Sequence, residues 1–435
     1  MTRTIYTFLL YVLLPFTPIK LLLRGIKQPE YRQHWAERFG FYTVKNSSDK
    51  AIIWLHCVSV GETRAAEPLV KALLLQYPHH QILLSHTTPT GRATSKALFG
   101  NSVKRVYLPY DVPFAVKRFL NYFSPVVGVL METELWFNLI AECKNSSIPL
   151  LLINARLSEK SMLSYQKIGE LANEGLSNLT TIAAQTPQDA ERLKNLGGSD
   201  ISVMGNLKFD VISPTNATNS GLALRELIGK NRPVFLAAST RANANENEEA
   251  LILQALKQVD IPNLLTIIVP RHPQRFDEVA ALLTQKNWQF ERKSALKQAI
   301  SANTKILLGD TMGELFSYYA ACDVAFIGGS LLTLGGQNLI EACAMGKPVL
   351  IGPHTYNFAH ATELAVKSGS AMQVENVTDL AIKLDFLLSD TSAAFEKRAS
   401  MSKAALQFTN NNTGATQQAI TLIASALKTS ARSQT

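Results

Sequence analysis

The chain has 435 residues, of which 46% are hydrophobic and 18% are charged. This composition excludes an intrinsically disordered chain, and the length predicts two globular domains because one core rarely grows so large. Lys and Arg (43) outnumber Asp and Glu (34), and the formal net charge of +9 suits an anionic partner such as nucleic acid, acidic lipid or a phosphorylated substrate.

The four cysteines lie far apart, at positions 57, 143, 322 and 343, and show no paired spacing. This pattern predicts neither a disulfide framework nor a zinc site. It indicates reduced thiols in a cytosolic compartment.

The N-terminal segment is uncharged from Ile5 to Ile19 and is followed by basic residues. Fifteen residues span roughly 22 Å as a helix, less than the ~30 Å hydrocarbon core of a membrane, and Pro15 and Pro18 would bend the helix. A cleaved signal peptide is the alternative, but no small-residue cleavage site follows. The segment predicts a short membrane anchor, residues 1–24, whose neighbouring cations face an anionic cytoplasmic leaflet.

Apolar strands then alternate with helical patterns, which is typical of a parallel sheet covered on both faces. The predicted strands of the first half are 51–57, 81–86, 103–108, 125–131, 149–153, 180–184 and 201–204. The first domain is predicted to span residues 25–212.

Residues 210–221, DVISPTNATNSG, have the composition of a linker, and the alternation restarts after them. The predicted strands of the second half are 233–238, 264–269, 305–308, 323–327, 348–352 and 371–374. The second domain is predicted to span residues 213–435, with helices at 392–407 and 414–427 bracing the pair. The fold class is therefore α/β, with two Rossmann-like domains that bind ligands in a central cleft at the carboxyl ends of their strands.

Glu62 follows the first predicted strand in the segment AIIWLHCVSVGET. The carboxyl ends of parallel strands are where such sheets carry their chemistry, so Glu62 is a candidate for a chemical role. The alternative is structural, because a Glu in the first turn of a helix stabilises the helix dipole.

Other loops of the first half supply cations with few carboxylates, which suits an anionic acceptor. The candidate acceptor-binding residues are Arg92, Arg156, Lys160 and Lys208.

The second half carries a glycine-rich segment, residues 323–353, in which Gly335 and Gly336 are predicted to open a helix with free N–H groups for a phosphate. Glu341 could accept hydrogen bonds from a ribose diol, although tight turns and a surface Glu are a sufficient structural reading. The candidate ligand-binding residues of this half are Arg271, Met312, Gly313, Gly329, Ser330, Asn338 and Glu341. Neither half has a G-x-G-x-x-G after its first strand, so no nicotinamide or flavin cofactor is expected.

Ordered motifs over nearly the whole chain resemble the 3-deoxy-D-manno-octulosonic acid (Kdo) transferases of lipopolysaccharide synthesis. These motifs are VSVGET, PTGR, YLPYD, METELW.N, NARLS.KS, GNLKFD, VPRHP.RF, DTMGEL and GGS…GG.N..E. The resemblance implies a GT-B fold and inverting transfer of Kdo from CMP-Kdo to the lipid A precursor, lipid IVA, without a metal ion or cofactor. It also implies the cytoplasmic face of the inner membrane and no nucleic-acid partner.

The resemblance implies that Glu62 is the general base, and that the seven candidate residues of the second half bind the nucleotide of the donor. The chain departs from the family pattern at two donor-side loops. STRANANENEE has Arg241 where the family has His, and GGQNLIEA has Gln337 for His. Two other hypotheses stay open: a different GT-B glycosyltransferase or sugar-nucleotide epimerase, and a non-catalytic, membrane-tethered nucleotide-binding scaffold.

Overall fold

The structure is a computed structural model that describes residues 1–43, 50–211 and 213–433. The chain divides into two compact units, one formed by Met1–Asp210 together with the segment from Asn412 onward, and the other by Val211–Asn411. The predicted boundary at 212 falls on a residue outside the described part, next to the observed division.

The N-terminal segment is helical over Arg3–Lys27, 25 residues that are long and apolar enough to cross a membrane by length and composition. It consists of helix α1 (Arg3–Leu13), a 3₁₀ turn (Leu14–Phe16) and helix α2 (Thr17–Lys27). The helical segment extends beyond the predicted end of the anchor at residue 24, because each proline lies in the first turn of a new helical piece, where its missing N–H costs nothing. At 1.5 Å per residue the segment is about 37 Å long.

One face of α1 is held on the first unit by polar contacts. The Tyr6 hydroxyl donates to Asp111 Oδ2 at 2.9 Å, and the Thr7 hydroxyl donates to Asn138 Oδ1 at 2.8 Å. The opposite face is apolar and exposed, and it continues along α2. Its most exposed large side chains are Phe8, Leu13, Phe16, Leu23 and Ile26.

The first unit contains a parallel sheet that confirms the seven predicted strands of this half. The strands are β1 Ile52–His56, β2 Gln81–His86, β3 Lys104–Tyr107, β4 Pro125–Met131, β5 Leu150–Ala155, β6 Thr181–Ala184 and β7 Ile201–Val203. In the described residues their order is β3-β2-β1-β4-β5-β6-β7. The direction of strand succession reverses between β1 and β4, so their carboxyl ends form the point where parallel sheets bind ligands.

Helices cover both faces of this sheet. They are α3 Val60–Ala65, α4 Glu67–Gln76, α5 Pro89–Phe99, α6 Pro113–Phe123, α7 Phe137–Asn145, α8 Glu159–Gln166, α9 Gly169–Ser177 and α10 Pro187–Asn195. Helices α3 and α4 do not merge into one helix, because Pro68 in the first turn of α4 lacks the N–H that a continuous helix needs.

The second unit has its own parallel sheet. Its strands are β8 Val234–Thr240, β9 Leu265–Pro270, β10 Phe290–Arg292, β11 Ile306–Leu308, β12 Val324–Ile327, β13 Val349–Ile351 and β14 Ala371–Gln373. In the described part the order is β10-β11-β9-β8-β12-β13-β14, and the succession reverses between β8 and β12. The edge strand β10 is the one that the sequence did not predict.

The helices of this unit are α11 Ala217–Ile228, α12 Glu248–Leu256, α13 Phe276–Gln285, α14 Leu315–Ala321, α15 Ile340–Ala344, α16 Ala359–Lys367, α17 Val377–Leu388 and α18 Ser392–Asn412. Helix α11 begins inside the predicted linker 210–221. It packs closely on α14, since a Cβ on Gly221 would overlap the Cβ of Ala320.

The last helix, α19 (Ala415–Ser433), belongs to the first unit, so the predicted range 213–435 for the second domain is wrong at its end. Ala419, Ile420 and Ile423 are buried in the same apolar cluster as strands β1 and β4. The Asp210 carboxylate accepts the Gly414 N–H at 2.7 Å and also the Thr416 N–H, which fixes the start of α19.

Candidate active site

Glu62 lies at the carboxyl end of β1, in the first turn of α3, and only 6% of it is exposed. Its carboxylate accepts the Val58 N–H at 2.7 Å and the Ser59 hydroxyl at 2.8 Å. The Ser59 oxygen in turn accepts the Glu62 N–H at 3.3 Å, so the two residues form a variant of the capping box in which the carboxylate accepts the N–H of Val58, the residue before the N-cap Ser59. The structural role that the sequence left open is therefore present, and it also fixes the carboxylate in place.

Burial raises the pKa of Glu62 to about 7, against the opposing hydrogen bonds from Val58 and Ser59, and the neighbouring Glu132 and Glu134 raise it further. Glu132 and Glu134 follow β4, the strand beside β1, so three carboxylates meet where the strand order reverses. Burial and Glu132 raise the pKa of Glu134 to about 7 as well. A carboxylate with a pKa near neutrality is suited to accept a proton at physiological pH.

The sequence reasoning did not single out Glu134, although the E-x-E spacing of METELW was a visible signal. The backbone of Glu132 has a φ of +59°, in the left-handed region that non-glycine residues rarely adopt. Such a conformation costs on the order of 1–3 kcal/mol and is typical of functional sites.

The predicted acceptor-binding cations differ in their surroundings. Arg92 donates to Glu37 at 2.6 Å, and its guanidinium lies 4.9 Å from the centre of the Tyr107 ring, so it is engaged in an internal ion pair. Arg156 and Lys160 are exposed around the start of α8, and Lys208 is partly buried. The structure therefore leaves Arg156 and Lys160 accessible to a ligand, and acceptor binding by all four stays a prediction.

In the second unit, Gly329 and Ser330 follow β12 at the point where the strand order reverses. Their N–H groups donate to the buried Glu248 carboxylate at 2.6 and 3.1 Å. The Ser330 hydroxyl is also internal, since it donates to the Ile327 carbonyl and accepts the Gly352 N–H at 2.8 Å. These groups shape the loop.

The sequence predicted free N–H groups at the glycine pair Gly335 and Gly336. Two N–H groups at this point are instead bonded within the loop. The Gly336 N–H donates to the Gly329 carbonyl at 2.8 Å, and the Gln337 N–H donates to the Gly328 carbonyl at 3.0 Å. Helix α15 begins only at Ile340 and is five residues long.

Asn338 and Glu341 contact each other at the start of α15. The Asn338 amide donates to Glu341 Oε1 at 3.1 Å, and its oxygen accepts the Ile340 N–H at 3.1 Å. Burial raises the pKa of the Tyr319 hydroxyl, on which Glu341 and Arg271 exert opposite electrostatic effects. Glu341 and Arg271 therefore lie within electrostatic range of the same group.

Met312 and Gly313 lie in the loop between β11 and α14. Met312 is 62% exposed, and Gly313 has a φ of +83°, which favours glycine. The preceding Thr311 hydroxyl contacts the Tyr318 hydroxyl at 2.9 Å, which fixes one end of this loop.

Arg241 and Gln337, the two residues that depart from the family pattern, are neighbours in space. A Cβ built on Gly329 would lie 3.2 Å from Gln337 Nε2 and 3.3 Å from Arg241 Cδ. The pKa of His272 is lowered by burial and then by Arg271, Arg241 and Arg275, so several cations gather at the carboxyl ends of β8 and β9.

The described residues contain no cluster of His, Cys, Asp and Glu that could hold a metal ion.

Two family models match the chain, and their ranges follow the two units. The model described as 3-Deoxy-D-manno-octulosonic-acid transferase (kdotransferase) matches residues 33–211. The model described as Glycosyl transferases group 1 matches residues 228–408.

Solved structures of other proteins share the fold. A glycosyltransferase from Rickettsia africae superposes with a TM-score of 0.54 at 16% identity, covering 88% of this chain and 100% of that chain. MurG from Acinetobacter baumannii gives a TM-score of 0.54 at 14% identity, covering 86% of this chain and 99% of that chain. The predicted GT-B fold is confirmed.

Two proteins related in sequence share a much higher identity with this chain. The 3-deoxy-D-manno-octulosonic acid transferase of Bordetella pertussis is 42% identical over 380 residues, which cover 85% of this chain and 86% of the relative. The protein of the same name from Haemophilus influenzae is 38% identical over 428 residues, covering 97% of this chain and 98% of the relative. The chain therefore belongs to the family of 3-deoxy-D-manno-octulosonic acid transferases and is a Kdo glycosyltransferase.

Proposed function

We propose that the chain transfers Kdo from CMP-Kdo to the lipid A precursor lipid IVA, with inversion at the anomeric carbon and with Glu62 as general base. The observation that carries this proposal is the buried Glu62 carboxylate, with a pKa of about 7, where the strand order of the first sheet reverses. Membership of the Kdo transferase family supplies the class of sugar that is moved.

The chemistry needs one proton acceptor. An acceptor hydroxyl oxygen attacks the anomeric carbon of Kdo as the bond from that carbon to the phosphate oxygen breaks, and the electron pair leaves with CMP. The hydroxyl proton passes to Glu62. Each carboxylate oxygen of Glu62 accepts one hydrogen bond within the capping box, so each keeps a second lone pair for this transfer.

The donor is assigned to the second unit. Arg271 stabilises the phosphate as negative charge develops on it, and Glu341, held by Asn338, accepts from the ribose diol. The exposed loop of Met312 and Gly313 covers the nucleotide. Because the N–H groups of Gly329 and Ser330 are engaged by Glu248, we assign these two residues to the shape of the donor loop.

The acceptor is assigned to the first unit. The exposed Arg156 and Lys160 attract its anionic groups, and Lys208 contributes a further cation at the same unit. Arg92, which is paired with Glu37, supports this surface from within. Nucleic acid is not proposed as a partner.

The membrane contact is assigned to the exposed apolar face of Arg3–Lys27 at the cytoplasmic face of the inner membrane. The polar contacts of Tyr6 and Thr7 hold the other face of α1 on the first unit, so the segment can insert its apolar side chains while the unit stays at the surface. The basic residues Arg24 and Lys27 end α2, where an anionic leaflet would attract them.

Replacing Phe8, Phe16 and Leu23 with Ser is expected to weaken binding to anionic phospholipid vesicles by at least about tenfold, because each buried apolar side chain contributes roughly 1.5–3 kcal/mol. These side chains are 65%, 61% and 62% exposed in the free protein, so the fold should be unaffected. Vesicle flotation measures the binding. Leu75→Ser, at a residue 83% exposed on α4, is the matched control and should float like the wild type. Equal flotation of the triple variant would contradict this assignment.

Product analysis by mass spectrometry tests the reaction. With CMP-Kdo and lipid IVA, the proposal predicts lipid IVA carrying Kdo, together with free CMP, and the number of Kdo units is read from the same spectrum. An epimerase would leave the lipid unmodified and change the sugar, whereas a scaffold would bind the nucleotide without turnover. A lipid that stays unmodified would overturn the proposal.

A further inference from the structure

Two adjacent glutamates, Glu248 and Glu249, begin helix α12, and both are 0% exposed. Glutamate side chains are rarely buried completely unless they are paired, so each one calls for an explanation. They lie in the segment STRANANENEE, next to the point where the strand order of the second sheet reverses.

Glu249 is explained by an ion pair. Its two oxygens accept from the Arg275 guanidinium at 2.7 and 2.9 Å, and one of them also accepts the Thr240 hydroxyl at 2.6 Å. This carboxylate ties the end of β8 to the segment that follows β9.

Glu248 forms no ion pair in the described parts of the chain, and its carboxylate is surrounded by backbone N–H groups instead. One oxygen accepts from Gly329 at 2.6 Å and from Arg241 at 3.1 Å. The other accepts from Ser330 and Leu331, each at 3.1 Å. Glu248 therefore joins the loop after β8 to the loop after β12, across the point where the strand order reverses.

This arrangement is costly. Burial raises the pKa of Glu248 to about 7, against the N–H donors that lower it, and Glu249 raises it further. A buried carboxylate without a cation is costly unless hydrogen bonds compensate it, and here four backbone N–H groups do so. Only a carboxylate fits, because both oxygens face N–H donors and an amide would turn its own donors toward two of them.

Arg241 shows what the fixed loops present to a ligand. Its side chain lies 3.3 Å from the position of a Cβ on Gly329. Its Nε is buried and lacks a hydrogen-bond partner among the described residues. The Glu248 carboxylate accepts the backbone N–H of Arg241. It therefore fixes the backbone position from which the Arg241 side chain extends.

We propose that Glu248 is a positioning residue of the donor site, whose carboxylate holds the loops after β8 and β12 in the arrangement that binds the cytidine nucleotide of the donor. This inference rests on the proposed function, which places CMP-Kdo in the second unit. Glu248 itself contacts the loops and not the substrate.

The test is Glu248→Gln, with Glu246→Gln as its matched control, since Glu246 is exposed two residues earlier in the same loop. Calorimetry with CMP should show an affinity at least about tenfold weaker for Glu248→Gln, the size expected for lost hydrogen bonds to a charged group. The KM for CMP-Kdo should rise by a similar factor, whereas kcat at saturating donor should stay within about threefold, because bound donor restores the loops. Glu246→Gln should match the wild type in all three.

If Glu248 has a purely structural role, Glu248→Gln should have a lower melting temperature, but its folded fraction should keep the wild-type CMP affinity and KM. This result would overturn the proposal. Failure of the proposed function is distinguishable, because the wild type itself would then not bind CMP.

Hydrogen exchange of the wild type keeps the proposal testable if Glu248→Gln does not fold. The amides of Gly329, Ser330 and Leu331 should be protected without ligand to the same degree as those of β12, because a buried carboxylate accepts them. Fast exchange of these three amides in the free protein would overturn the proposal.

Discussion

Glu62→Gln is expected to reduce kcat/KM for Kdo transfer at least about a hundredfold, since general bases typically contribute about 10²–10⁴-fold. Glutamine keeps the shape of the capping box. Its amide oxygen can accept the Val58 N–H, and its amide group can donate to the Ser59 hydroxyl oxygen, which is able to accept. The variant therefore removes the proton acceptor with little change to the loop.

The stability of the same variant separates the base from a capping residue. Burial raises the pKa of Glu62 from 4.5 to about 7, so the folded state binds the proton more tightly than the unfolded state does. The resulting stability is complete below the unfolded pKa and is lost as pH rises through about 7. A neutral Gln should therefore melt at the same or a higher temperature than the wild type at pH values above 7. A residue that only caps the helix would give a lower melting temperature and near-normal turnover.

The matched control is Glu67→Gln, at the start of the next helix. Glu67 pairs with Lys71 at 2.7 Å on the surface, and exposed pairs of this kind contribute at most about 1 kcal/mol. Its turnover should equal that of the wild type. A Glu62→Gln preparation that keeps more than about a tenth of the wild-type rate would contradict the assignment of the base.

Glu341→Ala is expected to weaken CMP binding roughly ten- to a hundredfold, because a hydrogen bond to a charged group contributes about 1.5–3 kcal/mol. Isothermal calorimetry on the folded variant measures the effect. The exposed Glu363 on α16 offers a matched charge change, and Glu363→Ala should bind CMP normally. Unchanged CMP affinity in Glu341→Ala would remove this residue from the donor site.

The sequence predicted most of the fold because its signal is local. Buried parallel strands are short apolar runs, and the predicted runs lie within a few residues of the observed strands. The strand that was missed, Phe290–Arg292, is short, partly exposed and carries two charges, so it has no apolar run to detect. Helix α11 was hidden because its first turn reads as the polar linker ATNS. Helix α19 was placed in the wrong unit because periodicity does not show which sheet an apolar face covers.

The candidate sites were predicted less completely, because their chemistry depends on pairs far apart in sequence. The Gly329 N–H is engaged by Glu248, 81 residues earlier, so a glycine-rich loop that looked open to a phosphate is internally bonded. Arg92 is paired with Glu37, 55 residues earlier, and nothing in the sequence indicated this ion pair. Glu62 could be proposed from the sequence because its signal is local: a carboxylate directly after a buried strand.

The pH dependence of kcat/KM for lipid IVA, at saturating CMP-Kdo, tests the assignment of Glu62 most directly. The base must be deprotonated, so the wild-type value should rise about tenfold per pH unit below the pKa and level off above pH of about 7. Glu134→Gln should keep this rise, although the pKa of Glu134 is also about 7, whereas the residual activity of Glu62→Gln should lose it. A wild-type profile that is flat through neutrality, or a rise that survives in Glu62→Gln, would contradict the role of Glu62 as the general base.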